Sequence, residues 1–309
     1  LKVGAGVNIS EIGTAAFEAD QKLRTVDVSA SATVTRIGDR AFRGCEGLIA
    51  FTIPASTVAV GDSAFSDCAF LAKVVFAPNG QNIDFGSYVF RNCVALTSVE
   101  LPATVQSFDG SAFDGCSSLR TIVVDAANPY LTTENGILYN KSMTEIMFYP
   151  KGINDPTLAQ LPWETLTVIG NTVFKNNANL TSVTLPGRIT AIGDGAFAGC
   201  INLTSVTFEA SGSALTVGND AFANCAGLTQ ITLPSYTSKL GDGAFYATPL
   251  TSFTVPADLQ SIGAQAFMYT NLTEITVPSG VTEIGDGAFA YSKLNSVTFE
   301  EGSAALVLG

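Results

Sequence analysis

The six cysteines of this 309-residue chain could do the most varied chemistry, because thiols bind metals, form disulfides and act as nucleophiles. Each one follows a phenylalanine by three residues, and the six are Cys45, Cys68, Cys93, Cys116, Cys200 and Cys225. Zinc sites need paired spacings such as Cys-x-x-Cys, and disulfide frameworks are typical of short chains. The six cysteines instead recur at one position of the repeat, which predicts small, semi-buried side chains that bond the local backbone. We therefore expect no metal site and no cofactor.

Histidine is absent, which excludes Ser-His-Asp catalysis, Cys-His catalysis and histidine-ligated zinc within this chain. Carboxylates remain candidates for chemistry, but five aspartates share one position after a glycine: Asp39, Asp62, Asp194, Asp242 and Asp286. This pattern is typical of side chains that cap turns. Calcium binding along that edge is the alternative, although no Asp-x-Asp-x-Gly loop supports it. We therefore predict no catalytic residue and no enzyme activity.

Composition narrows the choice of partners. The net charge of -12 would repel nucleic acid and anionic lipid. Hydrophobic residues make up 47% of the chain and charged residues 14%, which indicates a folded core. No stretch approaches the roughly 18 to 20 apolar residues of a membrane span, so we expect neither nucleic-acid binding nor membrane insertion.

A repeat of about 23 residues positions these side chains. Its anchors are Phe17, Phe42, Phe65, Phe90, Phe113, Phe174, Phe197, Phe222, Phe245, Phe267 and Phe289. They predict about eleven repeats in one solenoid spanning residues 1–309. The long interval between Phe113 and Phe174 predicts one insert within the solenoid, residues 125–164.

Each unit combines a turn and a strand. In one unit, residues 203–208 read L-x-x-V-x-F, whose apolar positions match the inward side chains of a leucine-rich-repeat strand. The preceding Gly-Asp-Gly-Ala-Phe segment is too short for a full helix and suits a turn. Since one coil cannot bury its apolar face alone, stacked coils must create the core, with the phenylalanine plugging it opposite the sheet.

The pattern I-G-x-x-A-F-x-x-C-x-x-L-x-x-V-x-L-P resembles the repeat of the BspA-like leucine-rich-repeat family. Residues 197–208 and 222–234 match it closely, and Asn128-Pro129-Tyr130 in the insert resembles a recurring element of that family. The predicted fold is a mostly-β, right-handed leucine-rich-repeat superhelix. Its parallel sheet lines the concave face, short helical turns or loops form the other face, and the insert is hairpin-like. The resemblance implies a bacterial surface protein, some relatives of which bind host matrix proteins.

Both ends of the chain fall inside a unit. Residues 302–309 resemble residues 212–218, which lead into another phenylalanine. Because repeat arrays need polar caps, we expect that both ends are truncated from a longer protein.

A threonine ladder occupies the outward strand position of the C-terminal half. It consists of Thr184, Thr207, Thr232, Thr254, Thr276 and Thr298. The structural interpretation is that threonine suits exposed strands and pairs well across a sheet. The functional interpretation is a flat hydroxylated surface for protein or glycan.

The insert concentrates aromatic residues, among them Tyr130, Tyr139, Tyr149 and Trp163. Residues 136–139 and 144–149 are predicted as two strands of a hairpin around residues 140–143. The aromatics either pack against the solenoid or form a binding element on an exposed loop.

Two hypotheses about function follow. The first is a monomeric, extracellular or cell-surface module that binds a host matrix protein or another surface protein. The second is an architectural spacer that displays another domain of a longer surface protein. The residue pattern leaves both open.

Overall fold

The computed structural model describes residues 2, 7–28, 33–77, 81–107, 110–210, 212–302 and 306–309. The chain divides into two compact units, residues 1–142 with 148–153 and residues 143–147 with 154–309. The described residues form a mostly-β solenoid of about 12 turns with parallel strands, which confirms the predicted fold class. No helix in this part of the chain is long and apolar enough to cross a bilayer.

The first unit consists of short strands joined by tight turns. A 3-10 turn lies at Gly110–Phe113. The strands are β1 (Glu11–Ile12), β2 (Arg36–Ile37), β3 (Ala50–Ile53), β4 (Ala59–Val60), β5 (Lys73–Phe76), β6 (Asp84–Phe85), β7 (Ser98–Leu101), β8 (Thr121–Val124), β9 (Leu131–Glu134) and β10 (Ile137–Asn140).

The predicted repeat strands are present in this unit as β3, β5, β7 and β8. Strand β3 pairs parallel with β5, and β7 pairs parallel with β8. Burial alternates along β3, so that Phe51 and Ile53 point into the core while Thr52 is exposed. Side chains alternate between the faces of a strand, which explains how each unit fixes one apolar face and leaves the other free to vary.

A second sheet was not predicted. The Ile-Gly segments before each phenylalanine form the parallel array β1-β2-β4-β6, in which Ile12 pairs with Ile37 and Ile37 with Val60. The sequence predicted a turn only for the Gly-Asp-Gly-Ala-Phe segment that follows each of these strands. Strands β1, β2 and β4 each contribute one buried residue, and two residues are too few to show a strand period.

The second unit repeats both sheets. Its strands are β11 (Glu145–Phe148), β12 (Val168–Ile169), β13 (Ser182–Leu185), β14 (Ala191–Ile192), β15 (Ser205–Phe208), β16 (Leu215–Val217), β17 (Thr237–Leu240), β18 (Ser261–Ile262), β19 (Glu274–Val277), β20 (Glu283–Ile284), β21 (Ser296–Phe299) and β22 (Val307–Leu308). The order β11-β12-β14-β16-β17-β18-β20-β22 makes one parallel sheet. The repeat strands pair as β13 with β15 and β19 with β21.

Stacked phenylalanines form the centre of each unit. In the first unit the rings of the five anchors from Phe17 to Phe113 follow one another at 5.2 to 5.6 Å between centroids. In the second unit the six anchors from Phe174 to Phe289 are 5.1 to 5.5 Å apart. The interior anchors are fully buried. The prediction that this residue plugs the core is confirmed.

The insert contributes to the core of the solenoid. Phe148 packs against Phe113 with 5.3 Å between ring centroids. Asn128 is buried, and its amide nitrogen donates to the carbonyl oxygens of Pro102 and Val105 at 3.2 and 2.8 Å. These two residues of the insert therefore pack within the first unit.

Both strands of the predicted hairpin are present, as β10 and β11, with residues 141–144 between them. A further antiparallel pair, β9 with β10, was not predicted. Its turn is Asn135-Gly136, whose φ values are 52° and 79°. An Asn-Gly pair between two strands is a strong hairpin signal, because both turn positions require positive φ.

Candidate binding surface

The six cysteines are buried and free. Each thiol donates to the carbonyl oxygen of the phenylalanine one coil earlier, as in Cys68 to Phe42 at 3.1 Å and Cys200 to Phe174 at 3.0 Å. The other four make the same bond at 3.0 to 3.2 Å. The predicted bond to backbone is present, but the side chains are fully buried instead of semi-buried, and the backbone belongs to the neighbouring coil instead of the local turn.

We expect the buried thiols to make stability fall at high pH. Burial raises the pKa of Cys68, Cys116 and Cys225 from 9.0 to about 12. Above pH 9.0 the unfolded chain loses thiol protons that the folded chain keeps, so the unfolding free energy decreases between pH 9.0 and 12 and is unaffected below. Urea unfolding on either side of pH 9.0 measures this decrease.

The matched control replaces Cys68, Cys116 and Cys225 with serine, which does not ionise in this range. The variant should lose stability less steeply above pH 9.0. Equal slopes for the two proteins would show that these thiols do not carry the effect.

The repeated aspartates link one coil to the next. Asp62 Oδ1 accepts from the amide of Ser87 at 2.8 Å, and Asp194 Oδ1 accepts from the amide of Asn219 at 2.7 Å. Asn219 Oδ1 in turn accepts from the amide of Asp242 at 2.9 Å. The prediction that each carboxylate caps its own turn is wrong at these positions, because the amide that donates to the carboxylate belongs to the following coil. Among the described residues, no cluster of three or more possible metal ligands is present.

The aromatic residues of the insert divide into core and surface. Tyr139 and Tyr149 are fully buried, so they cannot touch a partner in this fold, and their prediction as binding residues is wrong. Trp163 is half-buried, and its indole nitrogen donates to Leu158 O at 3.2 Å. Tyr130 is 47% exposed and stays a candidate for binding.

Tyr139 also carries an unusual hydroxyl. This oxygen is buried and has no hydrogen-bond partner among the described residues. Burial, followed by the charges of Glu134 and Tyr149, raises its pKa well above the ordinary value. The hydroxyl stays protonated and contributes to the core.

The threonine ladder lies on the exposed side of the repeat strands. All six threonines are exposed. Thr184 pairs with Thr207 across β13 and β15, and their hydroxyl oxygens are 2.8 Å apart. Thr276 pairs with Thr298 across β19 and β21. The ladder therefore forms a row of hydroxyl groups along the second unit.

Two grooves open along this row. A groove of about 580 Å³ lies between Thr207 and Thr232, and one of about 350 Å³ is lined by Thr254, Thr276 and Thr298. The first groove borders the coil of residues 229–235, which has no strand between β16 and β17. These two grooves along the threonine ladder could receive side chains of a partner protein.

The sequence analysis missed three tyrosines on the turn side of the second unit. The rings of Tyr246 and Tyr269 are 5.6 Å apart, and those of Tyr269 and Tyr291 are stacked at 4.9 Å. Tyr246 follows its anchor phenylalanine by one residue, whereas the other two follow theirs by two. Comparing the residues after each anchor across all coils would have found this row.

Comparison with known families decides the classification. The model of the BspA type leucine-rich-repeat region matches in six copies, over residues 10–134, 141–215 and 208–306. The chain belongs to this family. The BspA-type repeat is a protein-interaction fold, which agrees with a rigid core and a variable exposed strand face. No protein of curated function matches this BspA-type chain.

Several solved structures resemble the BspA-type chain. The pneumococcal vaccine antigen PcpA is 24% identical with a TM-score of 0.73, and the match covers 95% of this chain and 77% of that protein. A leucine-rich repeat protein from Eubacterium ventriosum is 20% identical with a TM-score of 0.58, covering 85% and 82%. A leucine rich cell surface protein from Faecalibacterium prausnitzii is 23% identical with a TM-score of 0.50, covering 97% and 86%. These likenesses show the fold.

Proposed function

We propose that this chain is a bacterial surface or secreted module that adheres to protein, with host extracellular-matrix proteins as partners. The observation that carries the proposal is the row of six exposed threonines in one register of the second unit. Core packing does not require threonine at an outward position. A shared residue there suits a shared contact surface better than it suits a spacer.

The physical properties of the row support protein binding. Threonine loses little side-chain entropy when it is ordered, since its β-branched side chain is already restricted. Its hydroxyl both donates and accepts, so it can meet either kind of partner group. The grooves beside Thr207 and Thr254 could hold the larger side chains that dominate interface energies.

The location of the module is part of the proposal. One structural neighbour is described as a cell surface protein and another as a vaccine antigen, which agrees with an extracellular site of action. The negative charge of the chain disfavours nucleic acid as a partner. We propose that the chain acts as a monomer, with Tyr130 as a second contact point in the first unit.

Surface plasmon resonance against immobilised fibronectin, laminin and collagen tests this function. We expect the double variant Thr207→Arg and Thr232→Arg to bind at least about tenfold more weakly, because two long cations would obstruct the groove between these residues. The matched control is Ile201→Arg with Ala226→Arg, at exposed positions one residue after Cys200 and Cys225. It should bind like the unmodified protein.

The possible outcomes separate the hypotheses. Absence of binding to every matrix protein would favour the spacer. An equal loss of affinity in both double variants would show that the threonine row is not part of the interface. Deleting residues 125–164 would remove buried core residues, so Tyr130→Ala is the better test of the insert. Unchanged affinity of this variant for the matrix protein would exclude Tyr130 from the interface.

A further inference from the structure

The tyrosines on the turn side of the second unit form an exposed aromatic surface. Tyr269 is 48% exposed and Tyr291 is 73% exposed, although their rings stack on each other. Tyr246 continues the row, with its ring nearly perpendicular to that of Tyr269. A contiguous exposed aromatic cluster is uncommon on a soluble surface and typically marks a binding site.

The backbone at two of these tyrosines is strained. Tyr269 and Tyr291 have φ values of 61° and 56°, in the left-handed region that bulky side chains rarely occupy. The same repeat position holds Gly199 and Asn224 in other coils, and those residue types tolerate positive φ well. Tyrosine costs stability at this position relative to glycine or asparagine.

A polar trough joins this aromatic surface. It has a volume of about 600 Å³, which is in the usual range for ligand sites. Its lining includes Lys175, Asp194, Asp220, Asn224 and Tyr246. Tyr246 thus belongs to both the trough and the tyrosine row.

Small residues create the trough. Gly195, Ala198 and Ala223 line it, whereas the position after the anchor phenylalanine in the first unit holds larger residues such as Arg43. Arg43 is ion-paired with Glu18 at 3.6 Å. From the coil of Lys175 to that of Tyr246 there are three coil spacings, or about 14 Å at the usual distance between strands.

The backbone around the trough disfavours a peptide ligand. The amides of Gly195 and Asp220 donate to the carbonyls of Asn219 and Asp242, each at 2.7 Å, and the amide of Asn224 donates to Tyr246 O at 2.8 Å. An extended peptide would find no free backbone donors at these residues. A ligand must therefore be recognised by side chains and ring faces.

The side chains fit a polyhydroxylated, uncharged ligand. Carboxylates accept hydrogen bonds and carboxamides both donate and accept, which matches hydroxyl groups. Tyrosine rings offer apolar faces to the C–H groups of a sugar ring. Burial and the charges of Asp194 and Asp242 raise the pKa of Asp220, so this region already disfavours added negative charge.

We infer that the trough and the row Tyr246, Tyr269 and Tyr291 form a binding site for neutral oligosaccharides. The sugar chain lies along the trough, with its hydroxyls on Asp194, Asp220 and Asn224 and its ring faces on the tyrosines. This site is separate from the threonine row, so it does not depend on the proposed matrix-protein contact.

Isothermal titration calorimetry with hexasaccharides of glucose, mannose and N-acetylglucosamine tests the inference. At least one should bind, and the double variant Tyr269→Asn with Tyr291→Asn should weaken it by about tenfold or more. The matched control Ala247→Asn changes the same repeat position, where φ is 53°, without removing a ring. Its affinity should be unchanged.

Thermal unfolding distinguishes a binding role from a structural one. The double asparagine variant should melt no lower than the unmodified protein, because asparagine relieves the strain at positive φ. Lack of binding to all three hexasaccharides would overturn the inference, as would unchanged affinity in the folded double variant. Stronger binding of a hexalysine peptide or of a hyaluronan hexasaccharide would also overturn it.

Discussion

Replacing Phe197 with alanine should lower the free energy of unfolding by about 3 to 5 kcal/mol. The ring is fully buried and stacks on Phe174 and Phe222 at 5.1 and 5.2 Å, so its removal leaves a cavity between two coils. Because stability in a solenoid depends on contacts between neighbouring coils, both interfaces of this coil weaken. Urea unfolding followed by circular dichroism measures the change.

The matched control lies in the same coil. Ile201 is 51% exposed, so Ile201→Ala should change the unfolding free energy by less than about 0.5 kcal/mol. Equal losses for Phe197→Ala and Ile201→Ala would contradict the description of the phenylalanine stack as the core.

Replacing Gly241 with alanine should destabilise the second unit by about 3 kcal/mol. A Cβ atom at this position would lie 2.5 Å from the backbone nitrogen of Asn219 and 2.5 Å from the carbonyl carbon of Gly218. These are backbone atoms of the preceding coil, so the clash is relieved only by moving the coils apart. Such movement would also strain the bond from Asn219 Oδ1 to the amide of Asp242.

Gly280 provides the control for this change. Apart from its two neighbours in sequence, the nearest atom to an added Cβ at Gly280 would be Ala257 O, at 3.5 Å, which is an ordinary van der Waals contact. Gly280→Ala should therefore leave the urea midpoint nearly unchanged. If Gly241→Ala is equally harmless, close approach of the coils does not explain the repeated glycine.

The parts of the fold that repeat were predictable from the sequence. The spacing of the phenylalanines located the coils, and the cysteine register indicated burial against backbone. The insert breaks the spacing of the anchors, and Phe148 joins the core from within it. A residue can share the packing of a repeat without sharing its register.

Contacts between coils were harder to predict. The carboxylate of Asp194 meets an amide 25 residues later, and local turn rules describe only neighbours within a few residues. The short second sheet was missed for a related reason, since Ile192 is the single buried residue of a two-residue strand. Both features become visible only when successive coils are stacked.

The candidate surfaces also divide into residues whose exposure the repeat predicts and residues whose exposure it does not. Outward exposure of the threonines followed from strand alternation, because the apolar residues on either side of each threonine fix the register. Burial of Tyr139 and Tyr149 did not follow, since the insert has no repeat to indicate direction. The row ending at Tyr291 was missed because Tyr246 occupies a different position in its coil from the other two tyrosines.

A single thiol introduced on the threonine row tests most directly whether this row contacts a matrix protein. The native cysteines are buried, so Thr207→Cys would direct a maleimide reagent to one exposed position, and Ile201→Cys provides the matched control in the same coil. The measurement is the labelling rate of each variant with and without saturating fibronectin, laminin or collagen. We predict at least about tenfold slower labelling of Thr207→Cys with one of these proteins and no change for Ile201→Cys. Unchanged labelling of Thr207→Cys with all three proteins would contradict the account.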